Sequence, residues 1–155
     1  MTPLWCKVLV TTLALATSGL RARQSRVIGQ VQGIGTTAAA PFRGGGAGVG
    51  LSAAGRFGAG VFANLGSWDG ELAVRAEGAV FFHFDPQKRR GLAPYAGGGV
   101  AVQFAGDERA EFLLVILGFE SSPAASAGWF VELGVGGGLR GTTGFRVRRP
   151  LKEEK

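Results

Sequence analysis

Apolar and polar residues alternate along the carboxyl-terminal part of the chain. Between Trp129 and Leu139 the odd positions are mostly apolar, whereas the even positions are mostly glycine or charged, Glu132 among them. A period of two is typical of a β-strand whose two faces meet different surroundings. We predict a tight turn near Arg140 and Gly141, followed by a second strand. Because a charged face is no ordinary hydrocarbon core, its charges either meet water or pair inside a closed barrel.

Six earlier segments are also strand-like and are separated by residues typical of turns. In the fourth, Leu72, Val74 and Val80 lie on one side. Arg75 and Glu77 lie on the other. The sixth is apolar on both faces, and its short length between turns favours a strand over a buried helix. The predicted strands cover residues 26–36, 42–51, 57–65, 71–84, 93–104 and 111–120, and two more lie within 128–148.

Eight strands on short connections predict an all-β, eight-stranded antiparallel up-and-down barrel. About ten residues per strand also suit a tilted transmembrane strand. A soluble barrel would point its charges outward, but only 18% of this chain is charged, and one face of each strand is nearly uncharged. We therefore predict a transmembrane β-barrel. The alternative is a soluble, lipocalin-like periplasmic barrel that binds a small apolar ligand.

In a membrane barrel the charged faces point into the lumen, where unpaired charges are very costly. We expect both signs to pair there as a plug of salt bridges, although the same residues could line a narrow pore. The residues predicted for this lumen charge network are Arg75, Glu77, Glu120, Glu132, Arg140 and Arg146. The residues predicted to face lipid are Trp129, Val131, Leu133, Val135 and Phe145.

The amino terminus has the features of an export signal. Lys7 precedes a short apolar run, Val8 to Ala16, which cannot span a bilayer as a helix. We predict cleavage after Ala16 or Ala22, with a buried amino-terminal element as the alternative. The predicted organisation is a signal peptide in residues 1–22, a β-barrel domain in residues 26–149 and a charged tail in residues 150–155.

Composition changes this picture little. Glycine, with 28 residues, argues against long helices because it is a poor helix former. The net charge of +6 invites a nucleic-acid partner, but the clustered basic residues lie in or beside the predicted signal, in a predicted turn at 88–90 and toward the tail at 148–152. No basic amphipathic helix accompanies them. We therefore expect no nucleic acid, and consider these residues solvated rims or partners for anionic lipid headgroups.

Motifs for catalysis are weak. Gly136-x-Gly138-x-x-Gly141 matches a dinucleotide fingerprint, but it crosses a predicted hairpin instead of joining a strand to a helix. His83, the single histidine, lacks any spacing to a serine that would indicate a hydrolase, and we predict that it lies at the rim. We expect no enzymatic activity, no metal and no cofactor.

Three segments carry a family resemblance: PYAGGGVAV from Pro94, LLVILGFE from Leu113, and FVELGVGGG through TTGFRVR from Phe130. Over residues 91–148 they resemble the last four strands of small bacterial outer-membrane β-barrel domains of the OmpA/OmpX type. In that family strand six ends on an inward glutamate, which Glu120 matches. The family's F-V-E and T-x-G-x-R patterns are matched by residues 130–132 and 143–146. The chain departs in its short loops and in continuing past the final strand as RRPLKEEK.

The resemblance implies a protein of the outer membrane in a Gram-negative-type envelope. Its implied partners are outer-membrane lipids and the barrel-assembly machinery, and we expect a monomer. The implied function is a structural, membrane-stabilising role or a surface-interaction role.

Overall fold

Eight antiparallel strands form a closed barrel in the computed structural model, which describes residues 25–52 and 56–151. Each strand pairs with its neighbours in sequence, and the first pairs with the last. The all-β up-and-down barrel predicted from the sequence is therefore confirmed. The strands are β1 Arg26–Thr37, β2 Phe42–Ser52, β3 Phe57–Trp68, β4 Glu71–His83, β5 Leu92–Ala105, β6 Glu108–Ser121, β7 Ala127–Val135 and β8 Leu139–Pro150.

Some predicted features lie outside the described residues. The predicted signal peptide, residues 1–22, is one of them, and so is the tail from residue 152 onward. In the ranges that are described, no helix is long and apolar enough to cross a membrane.

The two ends of the barrel differ in their connections. At the end where β1 begins and β8 finishes, which we call the terminal end, β4 and β5 are joined by residues 84–91, and β6 and β7 by residues 122–126. At the opposite, far end, β3 joins β4 through Asp69 and Gly70 alone. Their φ angles of 51° and 87° are those of a tight type I′ hairpin turn.

The turn between β7 and β8 corrects one prediction. It lies at residues 136–138 and not near Arg140 and Gly141. Gly137 and Gly138 have φ angles of 77° and 107°, a region that glycine enters without steric cost. Arg140 instead belongs to β8, where it pairs across the sheet with Gly134.

Alternation along the strands separates an apolar outside from a polar inside. On β7, Val131, Leu133 and Val135 are exposed on the outer surface, whereas Phe130 and Glu132, at the alternate positions, are buried. The sixth segment, apolar on both faces in sequence, is a strand as predicted: its odd positions lie outside and its even positions fill the interior. The barrel therefore presents a hydrocarbon-like band to its surroundings and keeps its charges within.

The inner face of β2 carries no side chain over most of its length. Its inward positions are Gly44, Gly46, Gly48 and Gly50. A Cβ atom on Gly46 would lie 2.7 Å from the Cα atom of Asn64 on β3. The backbones of β2 and β3 therefore approach each other too closely there for a side chain. Glycine on a strand commonly marks such a close backbone approach. We call the inward glycines of β2 and β3 the glycine wall.

Candidate functional site

Seven charged side chains form a continuous series of ion pairs inside the barrel, which we call the ion chain. They alternate in sign, so that each glutamate bridges two arginines. The pairing distances lie between 2.6 and 3.0 Å, and every member is at most 6% exposed. From the far end to the terminal end, the members are Arg75, Glu77, Arg140, Glu132, Arg146, Glu120 and Arg148.

Four strands supply the whole of this ion chain. β4 contributes one arginine and one glutamate, and β6 and β7 contribute one glutamate each. The remaining three members, all arginines, come from β8. Each lies at an inward position of its strand, so the period of two places every charge on the same side of the sheet.

The far end of the ion chain is enclosed on all sides. Beyond its ion pair, Arg75 donates hydrogen bonds to Oε1 of Gln103 at 3.1 Å and to the backbone oxygen of Gly136 at 2.9 Å. Its guanidinium carbon also lies 5.3 Å from the ring centre of Phe112 and 6.0 Å from that of Phe42. These contacts satisfy a cation that is completely shielded from solvent.

An apolar cluster closes the barrel above Arg75. Ile34, Phe42, Ala73 and Ala105 are buried there, and Trp68 packs against them. Because this cluster and the short far-end turns cover the ion chain, the far end of the lumen is filled by protein.

Arg146 occupies the middle of the interior. Its guanidinium carbon lies 4.2 Å from the ring centre of Phe130 and 4.8 Å from that of Tyr95. Its Nε donates a 2.6 Å hydrogen bond to Gln30, and the Tyr95 hydroxyl donates a 2.7 Å hydrogen bond to Glu132. Stacking and hydrogen bonds therefore hold the charged groups in one arrangement.

The terminal end of the ion chain is less completely satisfied. Glu120 accepts a 2.6 Å hydrogen bond from Nη2 of Arg148 and lies 3.4 Å from Nε2 of His83. The ring of His83 stacks on that of Tyr95. Nη1 of Arg148 is buried without a hydrogen-bond partner among the described residues. His83 lies at the rim, as the last residue of β4, and its side chain is 12% exposed because it points into the mouth of the lumen.

The ion chain holds an excess of positive charge, four arginines against three glutamates. Both ends of the series are arginines, and each of them pairs with a single glutamate. The surplus positive charge is least well compensated at Arg148, whose Nη1 lacks a hydrogen-bond partner among the described residues.

Comparison with solved structures finds the same architecture in the N-terminal β-barrel domain of Pseudomonas aeruginosa OprF. The TM-score is 0.58 at 15% sequence identity, and the match covers 79% of this chain and 97% of that domain. The two chains share a fold. The resemblance to small outer-membrane barrels, inferred from residues 91–148, is thereby confirmed at the level of fold. No family model matches the sequence, and neither does any curated protein.

All the residues predicted for the lumen network lie in the ion chain. Arg148, which completes the ion chain, was not among the residues predicted for the network. Its signal was the alternation it shares with Arg146. Tyr95 and Gln30, which hold the network in place, carried a similar signal through their positions on inward faces.

The residues predicted to face lipid lie on the outer surface. Their exposed fractions range from 40% to 69%, and none belongs to the ion chain. They are Trp129, Val131, Leu133, Val135 and Phe145.

The geometry describes a filled lumen. The carboxylates are occupied by arginines, and in residues 25–52 and 56–151 no group of three potential metal ligands is found. The arrangement can hold the barrel wall rigidly from within.

Proposed function

We propose that the chain is an outer-membrane β-barrel protein with a charge-plugged lumen and a structural, membrane-stabilising role. It crosses the bilayer as a monomer, is inserted by the barrel-assembly machinery, and has no enzymatic activity. A surface-interaction role is less well supported, because such roles usually depend on long loops and the far-end turns here are short.

One observation carries this proposal: the apolar residues point outward and the charges point inward. In water, an outer surface rich in exposed valine, leucine and phenylalanine would be an aggregation hazard. In hydrocarbon the same surface is the favourable one, and the closed sheet leaves no unpaired strand edge. Strands of 9 to 14 residues are long enough to cross at a tilt.

The soluble, lipocalin-like alternative requires the reverse arrangement. Such a barrel would keep an apolar cavity inside for its ligand and would place its charges in water. Here the ion chain and the aromatic rings around Arg146 fill the interior. The distribution of side chains therefore supports the membrane barrel over the soluble one.

Cell fractionation combined with a heat-modifiability assay tests the proposal. The full chain, expressed in a Gram-negative host, is expected in the outer-membrane fraction. In detergent gels the unboiled protein should migrate as a compact band that shifts on boiling, because a closed barrel resists detergent until heated. A soluble periplasmic protein in the same extract serves as the control. Recovery in the soluble fraction without a heat-dependent shift would contradict the proposal.

A further inference from the structure

Cations surround the terminal end of the barrel. They occupy the start of β1, the end of β8, the residue before β3 and the connection between β4 and β5. A single acidic residue of the described chain, Asp85, lies among them. None of these cations forms an ion pair with another described residue. Arg26 lies at an inward position of β1 and donates hydrogen bonds to the backbone oxygens of Pro123 and Ala124 at 3.4 Å. We call the other five cations the basic collar: Arg56, Lys88, Arg89, Arg90 and Arg149.

The far end has the opposite character. Five acidic residues stand there against two basic ones, and Arg109, one of the basic pair, is already bound to Glu111. The acidic residues are Asp69, Glu71, Asp107, Glu108 and Glu111, and the second basic residue is Arg43. The barrel is therefore electrically polar along its axis.

Aromatic side chains on the outer surface are concentrated at the terminal end, although Phe104 lies on the outer surface at the far end. Phe57, Phe82 and Phe84 form an edge-to-face cluster at the terminal end, with ring centres 5.3 Å apart in each successive pair. Trp129 lies on the same end, at the start of β7. Aromatic rings favour the membrane–water interface, so this end of the outer surface lies at the level of the lipid headgroups.

The basic collar begins where the aromatic rings end. The guanidinium carbon of Arg56 lies 5.9 Å from the ring centre of Phe82, which fixes a cation at the edge of the apolar band. Most of the basic collar is arginine, whose planar group donates paired hydrogen bonds to phosphate. Cation and aromatic ring together match a headgroup that carries phosphate above an acyl chain.

We propose that the basic collar binds the headgroups of anionic phospholipids in the leaflet that surrounds the terminal end. The inference rests on the proposed membrane function and adds to it a lipid class and a side of the membrane. The far end repels the same lipids through its acidic residues, so binding is restricted to one leaflet.

Trp129 provides a reporter for this proposal. The β4–β5 connection and the β6–β7 connection are joined by backbone hydrogen bonds. One of them runs from the amide nitrogen of Ala124 to the carbonyl oxygen of Lys88 at 3.1 Å. Trp129 therefore lies close to the basic collar. Replacing Trp5 and Trp68 with phenylalanine leaves Trp129 as the only tryptophan.

The experiment folds this variant into phosphatidylcholine vesicles that contain either brominated phosphatidylglycerol or brominated phosphatidylcholine at equal mole fraction. From the quenching of Trp129 we expect an association constant about fivefold higher for the anionic lipid than for phosphatidylcholine. A ratio of this size is what roughly one basic side chain contacting each headgroup would produce. The preference should decrease as salt is raised.

Two matched double variants separate the basic collar from net charge. Arg89→Gln with Arg149→Gln should remove most of the preference. Arg43→Gln with Arg109→Gln changes the net charge equally at the far end and should leave the preference intact. None of these residues belongs to the ion chain.

Each contrary result has a distinct meaning. Equal quenching by both brominated lipids would overturn the basic collar proposal and leave the membrane proposal standing. Absence of quenching by either lipid would overturn both. Loss of the preference on adding inorganic phosphate at constant ionic strength would show that small anions, and not lipids, occupy the basic collar.

Discussion

The glycine wall and the strands that carry the ion chain differ in the volume that their side chains place in the lumen. β2 and β3 present mostly glycines to the interior, together with Asn64 and the rings of Phe42, Phe62 and Trp68. The interior charges come from β4, β6, β7 and β8. An eight-stranded barrel leaves room only for side chains that fill it. The inward glycines at positions 44, 46, 48 and 50 of β2 leave space that the large charged side chains can occupy. The small residues of β2 and the large residues of the ion chain are therefore complementary in volume.

The largest expected effect comes from breaking the charged side at its centre. Glu132 holds Arg140 and Arg146 and accepts the Tyr95 hydroxyl. Glu132→Ala leaves two buried cations without that partner and should cost about 3–5 kcal/mol in the free energy of unfolding. Urea unfolding in lipid vesicles, followed by tryptophan fluorescence, measures it.

Glu108→Ala is the matched control for this prediction. Glu108 is exposed at the far end, so its loss should change the free energy of unfolding by no more than about 0.5 kcal/mol. Equal, small effects for both variants would mean that the Glu132 face is open to water.

Adding volume to the glycine wall tests the other side of the comparison. A side chain on Gly46 would collide with the backbone of β3, so Gly46→Val should destabilise the barrel by about 1–3 kcal/mol. Gly33→Val is the control, since a Cβ atom on the outward-facing Gly33 meets nothing within 4 Å. Comparable unfolding midpoints for the two variants would show that the wall tolerates volume.

A smaller effect is expected at the terminal end of the ion chain. Arg148→Gln removes one hydrogen bond to Glu120 but equalises the interior charges at three of each sign. We expect a loss of about 1–2 kcal/mol in the free energy of unfolding. Arg140→Gln, which unpairs two glutamates, should cost clearly more. A loss at Arg148 as large as that at Arg140 would refute the idea of a surplus charge.

The least perturbing test concerns the outer surface and should leave stability nearly unchanged. In a background where Cys6 is replaced by serine, a cysteine at Leu133 should react with a lipid-phase reagent and resist a water-soluble one. A cysteine at the exposed position of Glu108 should show the reverse. Labelling of the Leu133 position from water would contradict the lipid-facing assignment.

Much of this architecture was predictable because apolar and polar residues alternate along the strands with a period of two. The alternation on β7 and β8 assigned Glu132 and Arg146 to the same face as each other. It could not assign their neighbours, since the pairing of Arg146 with Glu120 depends on the stagger between strands. The turn at Gly137 was missed because several glycines in succession offer more than one place to turn.

The glycine wall was the hardest part to predict. Glycines on both faces of β2 leave the strand without a pattern that distinguishes inside from outside. Only the contact between Gly46 and Asn64 shows why the inward positions must be empty.

The origin of the arginines has a consequence for how the barrel is completed. Three of the four arginines in the ion chain lie on β8, the last strand, while all three glutamates lie on earlier strands. The first seven strands carry all three of these carboxylates and only one of their arginine partners, Arg75. The strand that closes the ring by pairing with β1 also supplies the other three arginines. Loss of β8 from the sheet would therefore open the ring and leave Glu120 and Glu132 without an arginine partner.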